Sequence, residues 1–157
     1  MHSHQFGFRK RSSTEDAIFK PTHEIPSALN DKVTVGGIFF DLAKAFDSVN
    51  HVRLINKLQY YGISGKAKLL IESYLANRFQ KTQRDNTTLG LKSSSQWTWV
   101  KHGVPQGSIL GPLLFLFYID HLPNALPLNV FPVLFVDDTS IIITWQNGPA
   151  FLNSYIT

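Results

Sequence analysis

Residues 133–143 read VLFVDDTSIII, and two adjacent carboxylates, Asp137 and Asp138, stand inside one of the most apolar stretches of the chain. A buried carboxylate is costly unless it is paired, hydrogen-bonded or bound to a cation. A third acid, Asp41, follows directly on another apolar run, VTVGGIFF. Hard divalent cations want oxygen ligands, and Mg²⁺ is typically held by one or two carboxylates together with substrate phosphates. Three acids at neighbouring strand ends could hold two such ions, which suits attack of a sugar hydroxyl on phosphorus. Without a cation the same acids would repel one another. An ordinary reading stands beside this one. An Asp-Asp pair suits a turn, because Asp bonds its own backbone there, and Asp41 or Asp47 could each cap a helix. On the residues alone both readings stay open.

The elements that must position these acids can be read from periodicity. SSTEDAIF places Ser13 three residues before Asp16, the start of a short helix, and IPSALNDK then breaks the pattern. Val33 to Phe40 is rich in β-branched and aromatic residues and reads as a strand ending at Asp41, apolar enough to be covered on both faces. Val52, Leu54, Ile55 and Leu58 recur at helical spacing up to Gly62, and a second helix starts at a Ser64 cap. Phe79 to Gln83 and Gln96 to Lys101 read as the strands of a hairpin, with Trp97 and Trp99 as packing residues and base stacking as the alternative. GSILGPLLFLFYIDHL reads as a buried helix with Pro112 in its first turn. The runs 130–136 and 141–145 form a last hairpin with Asp137, Asp138 and Thr139 at its tip. The order implies an α+β fold, an antiparallel sheet covered on one face by helices.

Bulk properties remove other classes. Hydrophobic content of 43% over 157 residues supports one domain with a core, and a charged fraction of 17% is too low for a disordered chain. No cysteine is present, so disulfide scaffolds and thiolate zinc sites are excluded. The formal charge of +4 fits a phosphate-bearing partner without requiring one. The run Ile109 to Ile119 is too short to cross a bilayer, and the basic N-terminus lacks a secretory signal's apolar stretch, so an intracellular protein is expected. The six histidines show no ligand spacing with the acids.

Three segments in order, FFDLAKAFDSVNH (39–51), GVPQGSILGPLLFLFYI (103–119) and LFVDDTSIII (134–143), resemble palm motifs A, B and C of reverse transcriptases from non-long-terminal-repeat retrotransposons. QFGFRKRSSTEDAI (5–18) is similar to the segment preceding that palm. The resemblance implies a partial reverse transcriptase domain over 1–157, with a pre-palm segment at 1–30 and a palm-like sheet at 31–157. It implies an RNA template, a DNA primer and dNTPs as partners, with two Mg²⁺ ions, or Mn²⁺ in their place. By position, Asp41 and Asp137 match the metal-binding aspartates and Asp138 their neighbour. The Leu42 carbonyl would be a backbone ligand. Phe46 would crowd a ribose 2′-hydroxyl, or else pack under the following helix. Gln106 would touch the incoming nucleotide, and Gly107 would let backbone approach it. Arg9, Lys10 and Arg11 could reach template phosphates, or form a solvated surface cluster.

Two positions depart from the family pattern. Val136 stands where alanine is common, and His121 replaces an acid in YIDHLP. The resemblance also implies that most of the fingers and all of the thumb lie outside this sequence, so little polymerase activity is expected from it alone. A catalytically silent nucleic-acid-binding remnant and a related palm enzyme such as an intron maturase are the alternatives.

Overall fold

A computed structural model describes residues 1–86, 91–127 and 130–145. Helix α1 spans Thr14–Asn30 and strand β1 Thr34–Phe40; helices α2 (His51–Tyr60) and α3 (Gly65–Leu75) follow. Two small ribbons come next, β2 (Arg78–Gln80) paired with β5 (Thr98–Val100), and β3 (Gln83–Asn86) with β4 (Leu91–Ser94). Helix α4 (Leu110–Ile119) leads to β6 (Val130–Phe135) and β7 (Asp138–Trp145). The architecture is mixed helix and antiparallel sheet, α+β as expected.

The main sheet has the order β1-β7-β6, both pairings antiparallel. Alternation along the strands sets its faces. Val133 and Ile142 on one face are buried near α1, where Phe6 and Ala17 complete a small core with Phe131 and Phe135. A larger core sits among the helices. Leu54, Ile55 and Leu58 of α2, Leu75 of α3, and Leu114 and Phe115 of α4 close on Val49, Val104 and Val136. Val136 therefore joins the tip of the β6–β7 hairpin to the helical core.

Several local expectations change. α1 runs through Pro21 and Pro26 to Asn30 instead of stopping early. Its start is the anticipated capping box, with the Ser13 hydroxyl accepting from the Asp16 amide and the Asp16 carboxylate accepting from the Ser13 amide. Each proline removes an amide the helix would use, and packing on β1 and β6 holds the helix nonetheless. β1 is not covered on both faces: Phe39 is 82% exposed, and Ile38 and Phe40 are also open. Among the described residues β1 has β7 as its single sheet neighbour, so apolarity here marks an edge strand.

Ser64 precedes α3 but makes no side-chain capping bond. The single hairpin expected over 79–101 is two ribbons, and Trp97 and Trp99 are more than half exposed instead of packed. α4 is buried through Gly111, Leu114, Phe115 and Leu116, while Leu110 and Leu113 stay open. Among the described residues no helix is long and apolar enough to cross a membrane.

Candidate functional site

Pairing of Phe135 with Asp138 leaves Val136 and Asp137 as a two-residue turn. Asp137 is thus the second turn residue, half-buried, and Asp138 opens β7, exposed. On the other side of β7 the pairing ends with Phe40 opposite Thr139, the residues that adjoin Asp41 and Asp138 in sequence. Register therefore collects the three acids at one end of the sheet. It does not converge them: among the described residues no three His, Asp or Glu side chains are grouped closely enough to hold a metal ion.

The turn itself is unusual. Val136 has φ 61°, a left-handed conformation that β-branched residues rarely adopt. A two-residue hairpin with positive φ at its first position ordinarily places glycine there. What holds valine in this shape is the N-terminal segment. The Gln5 side-chain oxygen accepts from the amides of Gly7 (2.8 Å) and Val136 (3.1 Å). The Phe6 amide donates to the Leu134 carbonyl, and the Leu134 amide to the His4 carbonyl, both at 2.9 Å. A Cβ on Gly7 would lie 2.4 Å from a Val136 methyl, so only glycine fits. Gln5 and Gly7 carry no sequence pattern that would have marked them as supports of the acidic tip.

Below the tip, the segment after Asp41 is tied to the loop before α4. The Gly103 amide donates to the Val49 carbonyl and the Val104 amide to the Phe46 carbonyl, each at 2.8 Å. Gly103 has φ 91°, and a Cβ there would meet Asp47 Cα at 2.8 Å. His51 Nε2 lies 2.7 Å from the Gly103 carbonyl. Phe46 stacks on Phe115, centroids 4.7 Å apart, so its ring packs against α4. The Leu42 carbonyl accepts from the Ala45 amide at 3.1 Å, which leaves one lone pair for another partner.

Gln106 and Gly107 are exposed in the loop that follows. Gln106 borders a polar cleft of about 340 Å³ shared with Asp47, Arg78, Gln80 and His102. Gly107 has φ 80°, with open space where a side chain would stand. Ser108 secures the loop: its hydroxyl donates to the Pro105 carbonyl (2.7 Å), and it accepts from the Gly111 amide (3.0 Å) and the Tyr74 hydroxyl (2.9 Å). The three residues of the basic cluster differ in their surroundings. Arg9 donates to the carbonyls of His2 (2.7 Å) and Gln5 (2.9 Å), bracing the N-terminal segment, whereas Lys10 and Arg11 are exposed.

Asp120 anchors the same segment at the far end of α4. It accepts from the His2 amide and the Tyr61 hydroxyl. Burial pushes its carboxyl up, but the Tyr61 hydroxyl, the His2 amide and the N-terminal ammonium outweigh burial and hold it below the usual range. Burial and the same carboxylate raise the Tyr61 hydroxyl well above its ordinary value. Burial, Lys20 and His2 lower the His4 imidazole.

A family profile described as "Reverse transcriptase (RNA-dependent DNA polymerase)" matches residues 1–149. The chain belongs to the reverse transcriptase family. It is 35% identical over 127 residues to "Probable RNA-directed DNA polymerase from transposon BS" of Drosophila melanogaster, covering 76% of this chain and 12% of that protein. It is 30% identical over 144 residues to "RNA-directed DNA polymerase from mobile element jockey" of the same species, covering 88% of this chain and 15% of that one. This reverse transcriptase sequence thus spans roughly an eighth of the length of the curated relatives it matches.

Proposed function

We propose that this chain forms the palm of an RNA-directed DNA polymerase that extends a primer 3′-hydroxyl with dNTPs on an RNA template. The observation that carries the reading is the register that gathers Asp41, Asp137 and Asp138 at one end of the β1-β7-β6 sheet. The loop bearing Gln106 is tied to the segment that follows Asp41, which supports a shared nucleotide pocket. The donor set is all carboxylate and backbone oxygen, which fits Mg²⁺ or Mn²⁺ and suits no softer metal. Mg²⁺ is commonly held by one or two carboxylates plus substrate phosphates instead of an all-protein cage, which fits acids that stand near one another without converging. A bound metal pair would supply charge stabilisation for the entering and leaving oxygens.

Within this reading Asp41, Asp137 and Asp138 hold metal. Gln106 contacts the nucleotide and its template partner, and Gly107 leaves space for it. Phe46, fixed by Phe115, limits room at the ribose 2′ position. The alternative is a silent nucleic-acid-binding remnant, favoured by the lack of convergence among the acids. Mn²⁺ titration followed by electron paramagnetic resonance separates the two. The polymerase reading expects a site that weakens at least about tenfold in Asp41→Asn and Asp137→Asn. Mn²⁺ binding that is absent, or indifferent to both changes, leaves the remnant.

A further inference from the structure

The β2–β5 ribbon has two unlike faces. Its register sets Arg78 opposite Val100, Phe79 opposite Trp99, and Gln80 opposite Thr98. On the inner face Arg78 lies over the Tyr74 ring of α3, at 5.5 Å, and joins Gln80 and Val100 in lining the cleft beside Gln106. The outer face carries Phe79 and Trp99, and alternation continues it to Trp97, Lys81 and Lys101. Those three rings are 61%, 54% and 64% exposed, in the order Phe79, Trp99, Trp97. The Lys81 ammonium sits 5.2 Å from the Trp97 ring centre, and that of Lys101 5.5 Å from Trp99.

We propose that this outer face is a stacking platform for single-stranded nucleic acid. Adjacent open rings are costly to leave in water and mark a contact surface. Their sequence-tolerant partner is a base, stacked on the ring while a lysine meets its phosphate. Charge selects this occupant over an apolar protein surface. Residues 78–101 hold Arg78, Lys81, Arg84, Lys92 and Lys101 against Asp85 alone, a surplus equal to the +4 of the whole chain. That single acid already lies 3.9 Å from Lys92. An unpaired strand on the outer face would run along the ribbon whose inner face borders the Gln106 cleft. The inference extends the polymerase reading by naming where the unpaired strand lies, but it does not depend on the metal site.

The test is fluorescence anisotropy of a labelled oligouridylate of about 12 nucleotides, within the span such platforms cover, titrated with the 157-residue chain. Trp97→Ala with Trp99→Ala should weaken binding at least about tenfold, and Trp97→Phe with Trp99→Phe should keep it within about threefold. Circular dichroism checks that each variant is folded. If the alanine pair unfolds, Lys81→Ser with Lys101→Ser supplies the second arm, and should weaken binding and lower its dependence on salt. Alanine variants that bind as the parent does overturn the proposal. So does equal affinity for a duplex of the same length, or a lysine pair with unchanged affinity. Mn²⁺ binding at the acids is measured separately, so failure here leaves the polymerase reading standing.

Discussion

The side-chain oxygen of Gln5 accepts from the amide of Val136, 131 residues away in sequence, and from that of Gly7 two residues on. One amide group thus ties the N-terminal segment to the turn that carries Asp137. Both donors are buried, so removing their acceptor leaves two unpaired N–H groups in the interior.

Gln5→Ala should therefore destabilise the fold by about 2–4 kcal/mol, well above a typical surface change. Urea denaturation measures this directly. A midpoint equal to that of the parent would mean that solvent reaches the turn and the tie has little weight.

Val136 should respond oddly to truncation. A buried valine cut to glycine ordinarily loses about 2 kcal/mol or more of apolar burial. Here glycine also relieves backbone strain of about 1–2 kcal/mol, because φ 61° costs it nothing. The net loss for Val136→Gly should be within about 1 kcal/mol. A loss beyond about 3 kcal/mol would show that the valine side chain, and not the backbone shape, dominates.

Gly103 and Gly107 share a positive φ and differ in their surroundings. Gly103→Ala adds a methyl 2.8 Å from Asp47 Cα and should cost more than about 3 kcal/mol. Gly107→Ala meets open space and should cost about 1 kcal/mol of backbone strain alone. Parallel thermal melts would reveal the ordering, and equal losses would refute the close approach at Gly103.

Acid should loosen the N-terminal segment in two stages. His4 is held below its ordinary value, so the unfolded chain binds its proton first, and stability starts to fall as pH drops through about 6.5. Asp120 is also depressed: its contribution is full above about pH 4 and is lost as pH falls through the lower folded value. Asp120→Asn should lower stability at pH 7 and draw level with the parent in strong acid. Stability curves for parent and variant that run parallel down to pH 2 would rule this out.

Much of this was legible in the sequence, and the exceptions have physical causes. The strand before Asp41, the α2 boundaries and the existence of the last hairpin follow from periodicity, which is local, but its turn falls at Val136 and Asp137 and leaves Asp138 and Thr139 in β7, not at the tip. The extent of α1 was hidden because Pro21 and Pro26 argue for a break, and packing on the sheet overrides that local preference. The exposure of β1 was hidden because an apolar run does not say how many neighbours it has. A lone glutamine has no characteristic spacing, so Gln5 carries no signal of its role. The left-handed Val136 contradicts the preference of its own side chain, so only the tertiary ties to Gln5 and Gly7 reveal it. The open face of Trp97 and Trp99 runs against the usual packing of indole rings, which a sequence pattern cannot distinguish from exposure.

The bare side of β1 has a further effect on how this chain behaves in a test tube. Among the described residues its outer row of amides and carbonyls has no strand beside it, and Ile38, Phe39 and Phe40 stand open to water. Such a row, uncharged and free of proline, is a template on which identical copies can add. We expect copies to pair side by side through TVGGIFF as concentration rises, which light scattering of a dilution series would detect and a flat series would refute. A single gatekeeper charge, Phe39→Lys, placed at a side chain already 82% exposed, would keep them apart.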